Sequence, residues 1–265
     1  MRSESTDRLF HAWQGGTPAR NAWRTIPDPY LAELVAARAP IEAVTIDLQH
    51  GLFDHHSAVE CLRAIAVHRA SPMVRLPGLE PSTIGYFLDA GAAGVIAPAV
   101  DTAAQVKDFV RACNYPPKGQ RSHGPNRGAV ARGFDALSAA EQTVLFAMIE
   151  TREGLENAEL MAEVEGLTGL FVGPGDLGLA LGIGPGQDRD EAEMHAAIDR
   201  VLDSCKRAGK RCAVHATDPR YAANMACQGF DLVTVWVDVV AIDRSFANAE
   251  QAWTEVRSGR NARTT

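Results

Sequence analysis

Eight short apolar runs, each long enough to be a β-strand, recur along the chain with helical patterns between them. That alternation restricts the fold more than any other feature. The runs are Asn21–Arg24, Glu42–Asp47, Pro72–Arg75, Gly94–Ala97, Val144–Ile149, Gly169–Val172, Arg211–Val214 and Leu232–Val235. Segments such as VTI and GLFV lack a clean polar–apolar alternation, as expected of strands covered on both faces. Between the runs, Val106, Phe109, Val110 and Cys113 share one helical face, and Met194, Ile198, Val201 and Cys205 share another. Eight such units in 265 residues predict a single α/β domain over 1–265, a (β/α)8 TIM barrel. The rival is a doubly wound open sheet, which would prefer a GxGxxG turn after an early strand. None is present there.

Local signals support the element boundaries. Asp28-Pro29 and Asp218-Pro219 each set an acidic cap before a proline whose missing N–H would have lacked a partner at a helix start. Gly91, Gly209 and Gly229 follow helical runs, where a left-handed terminating residue is expected. Two excursions interrupt the alternation: the long, basic segment Asn114–Gly133 and the shorter Leu181–Arg189. A loop as long as the first is usually functional or lies against another subunit. The segment Ala241–Trp253 is amphipathic, with Ile242, Phe246, Ala249 and Trp253 on one side, and could close its own barrel or lie on a partner. Residues 254–265 read as a frayed tail.

Composition excludes some function classes. With 26 basic and 33 acidic residues and no basic patch interleaved with aromatics, a nucleic-acid surface has little support. No apolar stretch approaches the roughly 20 residues that a spanning helix needs. The opening MRSESTDRLF, polar and of both signs, does not read as a secretory signal, and the five cysteines have no CxxC pairing. Reduced thiols in a cytoplasmic protein are the expectation.

In a barrel of this kind the site lies at the C-terminal ends of the strands. The polar residues collected there are Trp23, Arg24, Asp47, His50, Arg75, Glu150, Asp176 and His215. Glu150 and Asp176 stand at equivalent strand ends and suit two oxygen anchors for one divalent ion. Taken alone, each could equally cap the helix that follows it.

Four strings carry a resemblance: IDLQHG (46–51), YPPKGQRS (115–122), IETREGLEN (149–157) and EVEGLTGLFVGPGDLGLALG (163–182). They resemble the HpcH/HpaI family of metal-dependent class II pyruvate aldolases, in order from about Trp23 to Asp238. The resemblance implies a (β/α)8 barrel whose last helix is exchanged between subunits, in a hexamer built from dimers. It implies Mg²⁺ or Mn²⁺, with Co²⁺ also admitted, on Glu150 and Asp176. The backbone N–H groups of Gly175 and Asp176 then hold a pyruvate carboxylate, and Arg75 faces the enolate oxygen. Trp23 lines the substrate, and His50, paired with Asp89, acts as base. The partners implied are a 2-oxo acid and an aldehyde, with no nucleic acid and no membrane. The activity implied is cleavage or formation of 4-hydroxy-2-oxo acids through a pyruvate or hydroxypyruvate enolate. The alternatives are an oxaloacetate-type decarboxylase on the same site and a non-catalytic metabolite-binding protein.

Departures from the family pattern bear on the acceptor. Met148 replaces a glutamine two residues before Glu150, Gln49 replaces a glutamate, and Trp236 stands where a glycine is common. Trp236, placed just after strand eight, is expected to narrow the acceptor pocket. Arg121 and His123 in the long loop are candidates for the far end of an acceptor or for a neighbouring subunit. The loop's positive charge could equally bridge to the protein's own acids. Lys107, Lys118, Lys206 and Lys210 all fall outside the strands, so no imine-forming amine is expected in the site.

Overall fold

The computed structural model describes residues 8–38, 40–132 and 142–261. The strands are β1 (Ala19–Arg24), β2 (Ala43–Asp47), β3 (Ser71–Arg75), β4 (Gly94–Ala97), β5 (Val144–Ile149), β6 (Gly169–Val172), β7 (Arg211–Val214) and β8 (Leu232–Val237). They pair in parallel, in chain order, and close into a barrel. The helices are α1 (Arg8–Gln14), α2 (Pro29–Ala37), α3 (His55–Ala66), α4 (Pro81–Asp89), α5 (Ala103–Cys113) and α6 (Asn126–Arg132). They continue with α7 (Arg152–Glu156), α8 (Ala158–Ala162), α9 (Pro174–Leu181), α10 (Ala192–Ala208), α11 (Pro219–Gln228) and α12 (Asp238–Asn261).

Two apolar clusters explain why these runs fold together. Outward residues such as Val44, Ile46, Val74, Val95, Leu145, Val172 and Val214 pack under the surrounding helices. Inward residues such as Met73, Ile96, Phe146, Phe171 and Leu232 fill the barrel. Alternate side chains thus serve two cores, which is why the runs look continuously apolar. At the N-terminal end α1 plugs the barrel: Trp13 donates Nε1 to the Asp231 carbonyl at 2.8 Å and packs edge-on against Phe146. The expected caps form, Asp28 on Leu31 N and Asp218 on Arg220 N and Tyr221 N. Four of the five cysteines are buried thiols.

β8 departs from regular alternation, and this corrects the expectation for Trp236. The pairing steps from Asn21↔Thr234 to Ala22↔Trp236, so Val235 is an extra residue in the strand. Such a bulge turns the following side chain to the opposite face. Trp236 therefore packs outward against the helix-side core, and Val237 points into the barrel mouth.

The last helix does not cover its own barrel. Asp238 at its root is buried, but every residue from Ile242 to Val256 is exposed, including Phe246 and Trp253. It continues to Asn261, beyond residue 254 where a frayed tail is expected; residues 262–265 lie outside the described ones. Among the described residues no helix is long and apolar enough to cross a membrane.

Candidate active site

Two-residue periodicity carries the barrel interior up to its mouth. Asn21, Thr45, Met73, Met148, Phe171 and Ala213 lie on the strands, and two residues beyond them stand Trp23, Asp47, Arg75, Glu150, Gly173 and His215. These six, with Thr25, His50, Met148, Pro174, Gly175, Asp176, Gln187 and Val237, line a cavity of about 200 Å³ at the C-terminal end. The volume suits a small metabolite.

On the side of β1 to β3 the polar atoms are bonded to one another. Asp47 accepts Nε and Nη2 of Arg75 at 2.8 and 2.5 Å and Nε1 of Trp23 at 3.1 Å. It also accepts the backbone N–H groups of Gln49 and His50. Burial raises the Asp47 carboxyl, but the Arg75 bonds and charge with the other donors outweigh it and hold the acid below its usual 3.8. The guanidinium also lies over the Trp23 ring, 5.0 Å from its centroid. Among the described residues its Nη1 takes no protein partner, and it is not enclosed, so it opens on the cavity. One flanking pair is purely structural: Arg24 and Asp238, both fully buried, meet at 2.9 Å and tie the β1 exit to the root of α12. The Thr25 hydroxyl is held by the same Asp238.

On the side of β5 and β6 the acids are left open. Glu150 is buried, and one oxygen, Oε1, accepts the Ala99 N–H at 2.6 Å. Ala99 adopts φ +46°, a left-handed conformation that costs an alanine about 1 kcal/mol and here aims its N–H at the carboxylate. Glu150 Oε2 has no protein donor among the described residues. Burial raises the Glu150 carboxyl above its usual 4.5, with the Asp176 charge adding to the rise and the Ala99 bond opposing it. A Cβ at Gly173 would stand 3.0 Å from Oε2, so glycine keeps that side of the acid clear.

Neither acid caps a helix. Thr151 caps α7 through Gly154 N, and Gly173 caps α9, leaving Asp176 exposed in its first turn. The first backbone bond of α9 runs from Leu177 N to the Gly173 carbonyl. The N–H groups of Gly175 and Asp176 precede it and have no carbonyl partner among the described residues, an arrangement that favours an anion.

Comparison with known proteins decides the family. The model of the HpcH/HpaI aldolase/citrate lyase family matches residues 23–243. The chain belongs to that family. It is 39% identical to a hydroxypyruvate/pyruvate aldolase of Rhizorhabdus wittichii over 95% of this chain and 99% of that one. It is 35% identical to a hydroxypyruvate/pyruvate aldolase of Deinococcus radiodurans over 92% and 89%. The crystal structure of an HpcH/HpaI family protein from Burkholderia cenocepacia superimposes with a TM-score of 0.84 at 30% identity, covering 97% of this chain and 100% of that one.

Measured against what the HpcH/HpaI resemblance implies, the fold gathers Trp23, His50, Arg75, Glu150, Gly175 and Asp176 around one cavity. Asp89 is the exception. At the end of α4, away from that cavity, its carboxylate pairs with Arg121 at 2.5 Å. The His50–Asp89 pairing is therefore not made within one chain. Arg121 is buried and lies over the Tyr115 ring, so the basic loop folds back on its own barrel instead of reaching into the cavity. Gly133, the last residue of that excursion, lies outside the described residues. His55 and His56 begin α3, as helix-start polar residues, and His55 stacks on Phe87.

Several lining residues had no assigned role in the sequence. Gln187 enters from the second excursion, where Asp188 accepts from Thr217 N and Asp218 N and pins the segment to the β7 exit. Its only sequence signal was the Gly- and Pro-rich composition of that excursion. Ala99 gave no signal at all.

The donor set fits a hard divalent cation. No group of three or more His, Cys, Asp or Glu residues suited to a metal occurs among the described residues. Two carboxylates suffice where water and a chelating substrate complete the shell. Glu150 Oε2, without a protein donor among the described residues and close enough to Asp176 for that charge to raise the Glu150 carboxyl, is the observation that matches.

Proposed function

We propose that this chain is a divalent-metal-dependent aldolase acting on 4-hydroxy-2-oxo acids through a pyruvate or hydroxypyruvate enolate. Family membership makes it a carbon–carbon lyase acting on small metabolites. The finer reading is carried by Glu150, a buried acid with one oxygen unpaired beside Asp176 and across the cavity from Arg75. Mg²⁺, Mn²⁺ or Co²⁺ held by Glu150 and Asp176 would polarise the 2-oxo group and offset the enolate charge.

The chain's own groups supply the remainder. The N–H groups of Gly175 and Asp176 hold the substrate carboxylate at the start of α9. Arg75, fixed by Asp47, directs Nη1 at the oxygen on which charge develops, and a preoriented cation loses nothing to reorganisation there. His50, exposed at the rim, takes the 4-hydroxyl proton. The C3–C4 bond then breaks, the aldehyde leaves, and the enolate is protonated at C3. Trp23 walls the site against water. No lysine lines the cavity, so an imine route finds no amine there.

Within the same proposal, Asp89 assists His50 only across a subunit boundary, because inside one chain its carboxylate holds Arg121. The uncovered apolar stripe Ile242, Phe246 and Trp253 supports a homo-oligomer in which α12 lies on a neighbouring copy. Cleavage of a panel of 4-hydroxy-2-oxo acids, with metal stripped and then restored, tests the reading. Activity should vanish on stripping and return with Mg²⁺ or Mn²⁺; cleavage that survives complete chelation would overturn it.

A further inference from the structure

The rim of the barrel divides by strand order. β7, β8, β1, β2 and β3 are consecutive around the ring, and they present His215, Val237, Trp23, Asp47 and Arg75 to the cavity. The two acids proposed for the metal come from β5 and the start of α9, across the mouth. A 2-oxo acid whose carboxylate and keto oxygen face the second group has its C3 directed toward the first.

Most polar atoms on that first side are already engaged or assigned: the His50 imidazole, exposed at the rim, takes the 4-hydroxyl proton in the proposed reaction. Asp47 is filled by Arg75, Trp23 and two backbone N–H groups, and the Thr25 hydroxyl donates to Asp238. Arg75 Nη1 is reserved for the enolate oxygen in the proposed reaction, and Trp23 and Val237 offer apolar surface. His215 is different. Its ring meets Trp23 edge-on at 4.8 Å. Its Nδ1 is enclosed with no hydrogen-bond partner among the described residues, whereas Nε2 is not enclosed and the residue lines the cavity.

The tautomer follows from that asymmetry. A neutral imidazole carries one proton, and placing it on Nδ1 would bury a donor with nothing to receive it. Placing it on Nε2 leaves only a lone pair enclosed and turns an N–H into the cavity. Burial, with the neighbouring Arg75 charge, pushes the imidazole down to about 4, so the ring is neutral near pH 7.

Resting on the aldolase reading above, we propose that His215 is a specificity-determining residue whose Nε2–H donates to a hydroxyl on C3 of the donor substrate. It thereby favours hydroxypyruvate over pyruvate. A methyl group at C3 offers this donor no acceptor, whereas a hydroxymethyl group does. Sites built around one such hydrogen bond discriminate against the analogue that lacks the partner.

The test compares exchange of C3 hydrogens with deuterated solvent for pyruvate and hydroxypyruvate, in wild type, His215→Phe and His215→Asn, each loaded with Mn²⁺. Phenylalanine keeps the ring and removes the donor; His215→Leu serves the same purpose should that variant not fold. The hydroxypyruvate-to-pyruvate ratio of kcat/KM should fall about tenfold in His215→Phe, what one neutral hydrogen bond is worth. Pyruvate exchange should stay within about threefold of wild type, and asparagine, with its amide N–H, should recover part of the ratio. An unchanged ratio, or equal loss with both donors, would overturn the assignment. Wild-type enzyme that exchanges neither donor with any divalent ion would instead remove the aldolase reading, and this inference with it.

Discussion

On the β2–β3 side of the mouth, Asp47 accepts five N–H donors, two of them from Arg75, and is held more acidic than an ordinary aspartate. On the β5–β6 side, Glu150 is also buried but accepts one among the described residues, from Ala99, and burial holds it less acidic than an ordinary glutamate. The two acids border the same cavity, so depth does not separate them. Donor count does. A buried carboxylate whose lone pairs are filled by the protein orients its neighbours, whereas one left partly empty is free to bind something that arrives. Asp47 is thus the fixture that aims Arg75, and Glu150 the group available to a cation.

The contrast breaks most severely at Glu150. Glu150→Gln keeps an acceptor for Ala99 N–H but removes the charge. Metal-dependent turnover should drop about a thousandfold, the scale of an ion's contribution to charge stabilisation. Stability of the metal-free protein should hold or rise in urea unfolding, because a partly compensated buried charge has been removed. A variant that unfolds more easily yet turns over normally would reverse the roles assigned to the two acids.

Asp47→Ala should do the reverse. It leaves Arg75 buried without its partner, a change that costs about 3–5 kcal/mol in similar sites and is measurable by urea unfolding. Loss of activity should follow from a misdirected guanidinium, with Mn²⁺ affinity nearly intact.

Acid titration sharpens the comparison through its sign. The folded value of Asp47 lies below 3.8, so its contribution to stability is complete above that pH and is lost as pH falls through the folded value. The folded value of Glu150 lies above 4.5, so its ionised form lowers stability at neutral pH and the penalty is relieved as pH falls through that raised value. The stability difference between wild type and Asp47→Asn should therefore be flat near neutral pH and shrink as pH falls through 3.8 toward the lower folded value. The difference between wild type and Glu150→Gln should begin to move in favour of wild type before pH 4.5 is reached.

Much of this molecule was legible in its sequence, and the gaps have identifiable causes. β4, β5, β6 and β7 coincide with their expected limits, because short apolar runs bounded by turn residues have few other ways to pair. β1 begins two residues earlier than expected, at Ala19, and β8 ends two later, at Val237. The bulge at Val235 left no mark on composition, and with it the facing of Trp236 was lost. Six of the seven expected site residues share the cavity because strand-end position is a sequence property. Asp89 does not, because it ends helix α4 instead of following a strand, and its carboxylate meets Arg121 here. Which acid would be filled by donors and which left open depends on contacts between distant segments, so neither the Asp47–Arg75 pair nor the Ala99 bond to Glu150 could be read in advance.

The smallest effect concerns Trp236. Because it faces the helices, Trp236→Phe should lower stability by about 1 kcal/mol and leave KM for every acceptor unchanged. A shift in acceptor preference would return that side chain to the mouth.

Titration of metal-free protein with Mn²⁺, followed by calorimetry or electron paramagnetic resonance, bears most directly on the open pair of acids. One ion should bind per chain, and both Glu150→Gln and Asp176→Asn should abolish or severely weaken it. Undiminished binding in either variant would contradict the account.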